Sequence, residues 1–175
     1  MRIFDFVARN QFFLFLFAAV LLQTGCAYYS FTGATLPAHL NTIAIPLAED
    51  VSLSPLTSMD EDLTELLIQR FVRQTRLTLE TDEAEANALL AARITRYVNE
   101  PSAVTGEERA ALNRVNITVT VRYVDQVEDR PLLERTFSSF QEYDPTVGGL
   151  EAEEQAARDA LEDIADDIFT AATSN

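Results

Sequence analysis

Residues 115–124 read Val115-Asn116-Ile117-Thr118-Val119-Thr120-Val121-Arg122-Tyr123-Val124. Val115, Ile117, Val119, Val121 and Tyr123 alternate strictly with Asn116, Thr118, Thr120, Arg122 and Val124. Period two of this kind marks a half-buried strand with one apolar face. Glu128-Asp129-Arg130-Pro131 then turns the chain, and Leu132 to Tyr143 returns as a second strand. A β-hairpin over 115–143 is therefore predicted, and its apolar face needs a cover. Two helices can supply it. Met59, Leu63, Leu66, Leu67 and Phe71 recur at helical spacing, which predicts an amphipathic helix over 59–75. Ser58-Met59-Asp60-Glu61 has the form of a capping box at its start. Arg70, Arg73 and Arg76 fall near its end, where the helix dipole favours cations. Ala157, Leu161, Ile164, Ala165 and Ile168 form one stripe of a helix over about 150–170. Its outer face is almost wholly acidic.

The remaining strands extend the sheet. Residues 41–47 read as a strand stopped by Pro46, followed by a loop over 48–57. Residues 77–80 give a short strand and 81–87 an acidic turn. Residues 88–99 read as a long strand with Leu90, Ala92, Ile94 and Val98 on one face, ended by Pro101. Residues 101–113 form a polar loop long enough to carry function. Residues 27–31 add a short aromatic strand. One-sided strands and one-sided helices cover each other most economically in an α+β two-layer sandwich. It has two helices packed on one face of a mixed, mostly antiparallel sheet of four or five strands. The other sheet face then carries Arg93, Thr95, Asn116, Thr118, Thr120 and Arg122, with Tyr97 as a further candidate. Such a face is either a docking surface or an ordinary solvated one.

The beginning of the chain is of another kind. Phe12-Phe13-Leu14-Phe15-Leu16-Phe17 leads through Ala18-Ala19-Val20-Leu21-Leu22 to Gln23-Thr24-Gly25-Cys26, after Arg2 and Arg9. This apolar run is shorter than the roughly 20 residues a membrane-spanning helix needs. A charged start, a short apolar run and a small-residue end make a secretory signal peptide. Leu22 to Cys26 resembles the lipobox of bacterial lipoproteins. The resemblance implies removal of residues 1–25 and a diacylglycerol thioether on Cys26, with a further acyl group on the new N-terminus. More than one chain gives stable anchoring, at about 0.8 kcal/mol per buried methylene. The rest, 26–175, is read as one periplasmic domain.

Charge and composition exclude several functions. The chain carries −15 at pH 7, and all 13 of its basic residues are arginine. Losing Arg2, Arg9 and Asp5 with the leader would take this to −16. So acidic a body has no generic phosphate-neutralising face, and nucleic acid is not an expected partner. Cys26 is the sole cysteine, so once it carries lipid no thiol remains and disulfides are excluded. His39 is the sole histidine, and it is read as a solvated loop residue. No Gly-x-Ser-x-Gly elbow, Gly-rich phosphate loop or histidine cluster is present. Neither catalysis, a metal nor a cofactor is expected, apart from the covalent lipid on Cys26.

Five dispersed stretches resemble one family. They are Cys26-Ala27-Tyr28-Tyr29-Ser30-Phe31-Thr32-Gly33-Ala34, Thr42-Ile43-Ala44-Ile45-Pro46, Glu85-Ala86-Asn87-Ala88-Leu89-Leu90, Arg114-Val115-Asn116-Ile117-Thr118-Val119 and Asp166-Asp167-Ile168-Phe169. Together they resemble the lipopolysaccharide-assembly lipoproteins of the LptE type, especially the version found in Bacteroidota-like bacteria. The resemblance implies two helices on a four-stranded sheet and a lipid-anchored protein on the periplasmic side of the outer membrane. It also implies a partner, the outer-membrane β-barrel that transports lipopolysaccharide, with lipopolysaccharide itself as a further candidate. On this acidic body, the role of plug and assembly partner fits better than direct binding of lipid phosphates. The other class considered is an envelope lipoprotein of the curli-secretion or penicillin-binding-protein-activator kind. Helices on both sheet faces would favour that class, and a bare sheet face the first.

Overall fold

The computed structural model of the chain describes residues 36–102 and 112–174, all within the compact unit Gly33–Asn175. The expected leader, Cys26, the strand expected at 27–31 and most of the 101–113 loop lie outside the described residues. Among the described residues the order is β1 (Thr42–Ala44), β2 (Glu49–Asp50), α1 (Met59–Arg73), β3 (Thr78–Leu79), β4 (Ala88–Pro101), β5 (Asn113–Asp125), β6 (Arg130–Tyr143) and α2 (Leu150–Thr173). The strands make one mixed sheet in the order β3-β1-β4-β5-β6, with β2 also on β4. β1 is parallel to β3 and β4, and β2 is parallel to β4. The β4-β5-β6 meander is antiparallel.

This is the expected α+β sandwich, with six strands where four or five were predicted. The missed strand is β2, in the segment read as loop. Two exposed residues carry no periodicity to read. β1 and β2 lie along the same edge of β4, Ala44 opposite Leu89 and Glu49 opposite Arg93. They amount to one strand interrupted around Pro46, which has no N–H to give a ladder.

The predicted hairpin sets the core. Val115, Ile117, Val119, Val121 and Tyr123 are fully buried beneath the two helices. α1 contributes Met59, Leu63, Leu67 and Phe71, and α2 contributes Leu161, Ile164, Ala165 and Ile168, to the same cluster. Phe71 is its aromatic centre, 5.8 Å from the Tyr123 ring and 5.4 Å, edge-on, from Phe169. α2 runs back along β6. Glu153 accepts from the Tyr143 hydroxyl at one end, and Asp163 accepts from Ser139 and Gln141 further along. The Tyr97 hydroxyl donates to Glu153 at 2.5 Å, and burial together with that carboxylate raises its pKa.

Two readings of α1 are corrected. Ser58 makes no side-chain cap bond to the backbone; its hydroxyl donates instead to the Asp62 carboxylate at 3.1 Å. Arg70 does more than face its own helix end. It bridges to Asp166 and, at 3.1 Å, to Glu162, and so ties α1 to α2. The bond to Asp166 is the main cause of its raised pKa, with burial opposing. Arg158 returns the link to Asp62 at 3.0 Å. Arg76, past the helix, donates to the Leu36 and Pro37 carbonyls.

A third correction concerns β4. Its register against β5 shifts between Ile94 and Arg96, leaving Thr95 as an extra residue. A bulge of one residue reverses the alternation beyond it. Tyr97 therefore pairs with Ile117 on the covered face, and Val98 pairs with Asn116 on the other. Strict alternation from Leu90 placed both residues on the wrong side.

Candidate functional site

The face of β4-β5-β6 turned away from the helices is bare among the described residues. In register across it lie Arg93, Thr120 and Thr136, then Arg96, Thr118 and Ser138, then Val98, Asn116 and Phe140. Cross-strand hydroxyls bond one another: Thr120 and Thr136 are 3.2 Å apart, and Ser138 donates to Thr118 at 3.0 Å. Thr95, standing out at the bulge, donates to the Thr118 carbonyl at 3.2 Å. These short side chains leave a flat, polar surface whose hydroxyls largely satisfy one another.

The predicted residues thus share a face, and the structure adds others. Arg96 and Arg114 lie there too, on the same side as Arg93 and Arg122. Four arginines face three glutamates of the same strands, Glu100, Glu134 and Glu142. The face is more charged than the sequence reading allowed, because β6, the post-bulge part of β4 and Arg114, just ahead of the predicted start of its strand, were not counted into it. Arg93 pairs with Glu49 at 2.6 Å, and Arg114 pairs with Glu142 at 2.7 Å while lying 4.5 Å over the Phe140 ring. Bonds from Arg114 and Ser102 hold the Glu142 carboxyl below its usual range. Arg96 and Arg122 are exposed and have no ion pair among the described residues. Phe140 is 51% exposed, the one large aromatic on this face among the described residues. The opposite side of the sandwich presents α2, whose eight carboxylates face one arginine of the same helix, Arg158, while Arg70 of α1 takes up two of them, Glu162 and Asp166. The acidic charge of the chain is therefore segregated away from the sheet face.

His39 departs from its reading as a solvated loop residue. Its Nε2 lies 2.6 Å from Asp125, whose side chain is fully buried at the end of β5. The other Asp125 oxygen accepts the N–H groups of Val127 and Glu128, each at 3.0 Å. A lone histidine gives no signal of this in sequence, since its partner is 86 residues away. His39, Asp125 and Glu128 are close enough to suggest a metal site. The geometry argues otherwise. The two ring nitrogens address different carboxylates, Nε2 toward Asp125 and Nδ1 3.9 Å from Glu128. Arg130, 3.2 Å from Glu128 and 4.0 Å from Asp125, already supplies the positive charge. The cluster clamps the β5–β6 turn to the segment entering β1.

Among the described residues no helix is long and apolar enough to cross a membrane. A family model described as lipopolysaccharide-assembly, LptE, matches residues 40–172. No curated protein matches the chain. Several solved structures share its fold at low identity. A minor lipoprotein from Acinetobacter baumannii aligns at TM-score 0.51 and 18% identity, covering 78% of this chain and 94% of that one. A hypothetical protein from Chlamydia trachomatis aligns at 0.53 and 11%, covering 78% and 99%. A protein from Xanthomonas campestris aligns at 0.53 and 11%, covering 74% and 81%. At such identities the likeness concerns the fold alone.

Proposed function

The chain belongs to the LptE lipopolysaccharide-assembly family, and on that premise we propose that it is the plug and assembly partner of a lipopolysaccharide-transporting β-barrel, anchored to the outer membrane by lipid on Cys26. The observation that carries this reading is the bare sheet face. Both helices pack on one side of the sheet, and the other side offers Arg93, Thr95, Asn116, Thr118, Thr120 and Arg122 on three long, rigid strands. A flat face of short hydroxyl side chains flanked by balanced arginines and glutamates suits docking against a large polar surface such as a barrel interior. Two layers with one face free among the described residues also favour this reading over the curli-secretion or penicillin-binding-protein-activator class, for which three layers are expected.

Affinity purification from detergent-solubilised outer membrane tests the partner. The expected result is a large β-barrel protein recovered in roughly equal amount. Recovery of the protein without one would defeat the proposal. The Thr118→Glu, Thr120→Glu double variant tests the face. Both side chains point away from the core, so the domain should fold, while barrel recovery should fall at least tenfold. A variant that still brings down the barrel in full would place the contact elsewhere.

Cys26 carries the anchor in this reading. Cys26→Ala is expected to leave the domain folded and to move it from the membrane to the soluble envelope fraction. Mass spectrometry of the native N-terminus should find acyl and diacylglycerol groups on Cys26 and no leader. A bare thiol with residues 1–25 still attached would refute the anchor.

A further inference from the structure

β6 is an edge strand. β5 pairs one of its sides from Arg130 to Tyr143, and no described strand pairs the other. A long free edge is a template for a further strand unless something blunts it. Pro131 and the register shift opposite Val124 blunt its start, and beyond them Glu134 and Arg135 are the charged side chains that guard it. The stretch from Leu133 to Gln141 has neither proline nor register shift. Beside it lies an open groove of about 570 Å³, lined by Leu133, Arg135 and Phe137 of β6 and by Asp167, Thr170 and Ala171 of α2. The β6 residues lining it are alternate ones. Alternate side chains of a strand added at this edge would therefore fall into the same groove.

The charges around the groove say what kind of strand fits. Asp163 and Asp166 of α2 are already taken up, by Ser139 and Gln141 and by Arg70. Asp167 is the carboxylate that lines the groove, near the end of α2, whose last turn carries no basic residue. The partial negative charge at that helix end has no cation of its own helix to meet it. α1, by contrast, ends in Arg70 and Arg73. Asp167 is exposed and has no ion pair among the described residues. The groove already takes one guanidinium, that of Arg135, 5.2 Å over the Phe137 ring.

We propose that the free edge of β6 receives, by strand addition, an extended basic strand of a protein partner, with alternate arginine or lysine side chains turned into the groove toward Asp167. Other occupants match the charge poorly. A second copy of this chain brings a further −15 and sets one acidic α2 beside another. The chain's own residues 10–35 contain no basic side chain at all. The inference stands on the edge and the groove, and holds whether or not the open sheet face docks a barrel.

The test is a titration of the isotopically labelled full chain with the synthetic peptide Thr-Arg-Val-Arg-Val-Arg-Thr, followed by NMR and amide hydrogen exchange. Amides from 133 to 141 should shift and gain protection. Binding should weaken at least tenfold with Asp167→Arg, with glutamate in place of the peptide arginines, and with a peptide N-methylated at alternate residues. The last control separates strand pairing from bare charge attraction, because it removes backbone donors and keeps the charge. Equal binding by the N-methylated peptide would overturn the proposal. So would shifts centred on Thr118 and Thr120, or β6 edge amides already protected in the monomeric free chain. Concentration-dependent dimerisation that the peptide fails to displace would give the edge to a second copy and overturn it too.

Discussion

Phe71→Ala is expected to cost about 4 kcal/mol of folding stability, within the range for truncating a buried phenylalanine. Phe71 is fully buried, on the core stripe of α1. Its ring touches two others, Tyr123 of the hairpin and Phe169 of α2. The truncation therefore opens a cavity where both helices and the sheet meet, and it removes aromatic pairs worth roughly 0.5–1.5 kcal/mol each beyond their area. None of the three elements can close the gap alone, because each is held elsewhere: α1 to α2 by Arg70, and α2 to the sheet through Glu153. Domains of this size typically hold about 5–15 kcal/mol in total, so the variant should sit near the edge of folding. Urea denaturation checks it. Phe140→Ala is the matched control: that ring is half exposed on the open face, and less than about 1 kcal/mol should be lost. A loss at Phe71 no larger than at Phe140 would mean that the core is not organised as described.

The elements with strong periodicity were legible in the sequence. Val115 to Tyr123 fixed a strand and its inward face, and the stripes of α1 and α2 fell where their spacing put them, because burial of one face is what creates the pattern. What escaped reading was set by contacts without a local signature. The bulge at Thr95 reverses the sides of Tyr97 and Val98, yet one extra residue leaves the composition of the strand unchanged. β2 exists because β4 offers a pairing edge, and nothing in Glu49-Asp50 asks for it. Ser58 and Glu61 match a capping box by type, but Asp62 takes the Ser58 hydroxyl. The candidate face was legible in part. Its β5 residues follow from the alternation, whereas Arg96 joins it only through the bulge and Phe140 only through the β5–β6 register.

Segregation of charge links the two surfaces proposed for partners. The open face balances four arginines against nearby glutamates, while α2 concentrates carboxylates on the far side. A partner that approached both surfaces would meet a nearly neutral sheet and an acidic rim beside β6. A barrel wall and a basic strand are different chemistries, and the sandwich keeps them on adjoining surfaces that share β6. Rim charges of this kind act mainly on association rate and salt dependence. Raised salt should therefore weaken capture of the basic strand more than docking on the sheet face.

Asp125→Ala is the second substitution expected to have a large effect, at about 3 kcal/mol. The carboxylate is fully buried and accepts from His39, Val127 and Glu128. Hydrogen bonds to a charged group contribute about 1.5–3 kcal/mol each, and alanine would leave the turn N–H groups and the His39 ring without their acceptor. Asp125→Asn keeps an oxygen for the two N–H groups and should lose less. The pair also has a pH signature. Burial pushes the Asp125 carboxyl up, but the bonds from Glu128, His39 and Val127 outweigh it and hold the group below its ordinary value of 3.8. A carboxyl with a lowered folded pKa stabilises fully above its unfolded value and loses that contribution as pH falls through the folded one. Denaturation at pH 7 should therefore show the wild type clearly more stable than the Asp125→Asn variant. The gap should narrow below pH 3.8, where the wild-type carboxylate takes up its proton and the amide has none to take. A gap that stays constant down through the acid limb would mean that the buried carboxylate is not what fastens the β5–β6 turn to the segment entering the sheet.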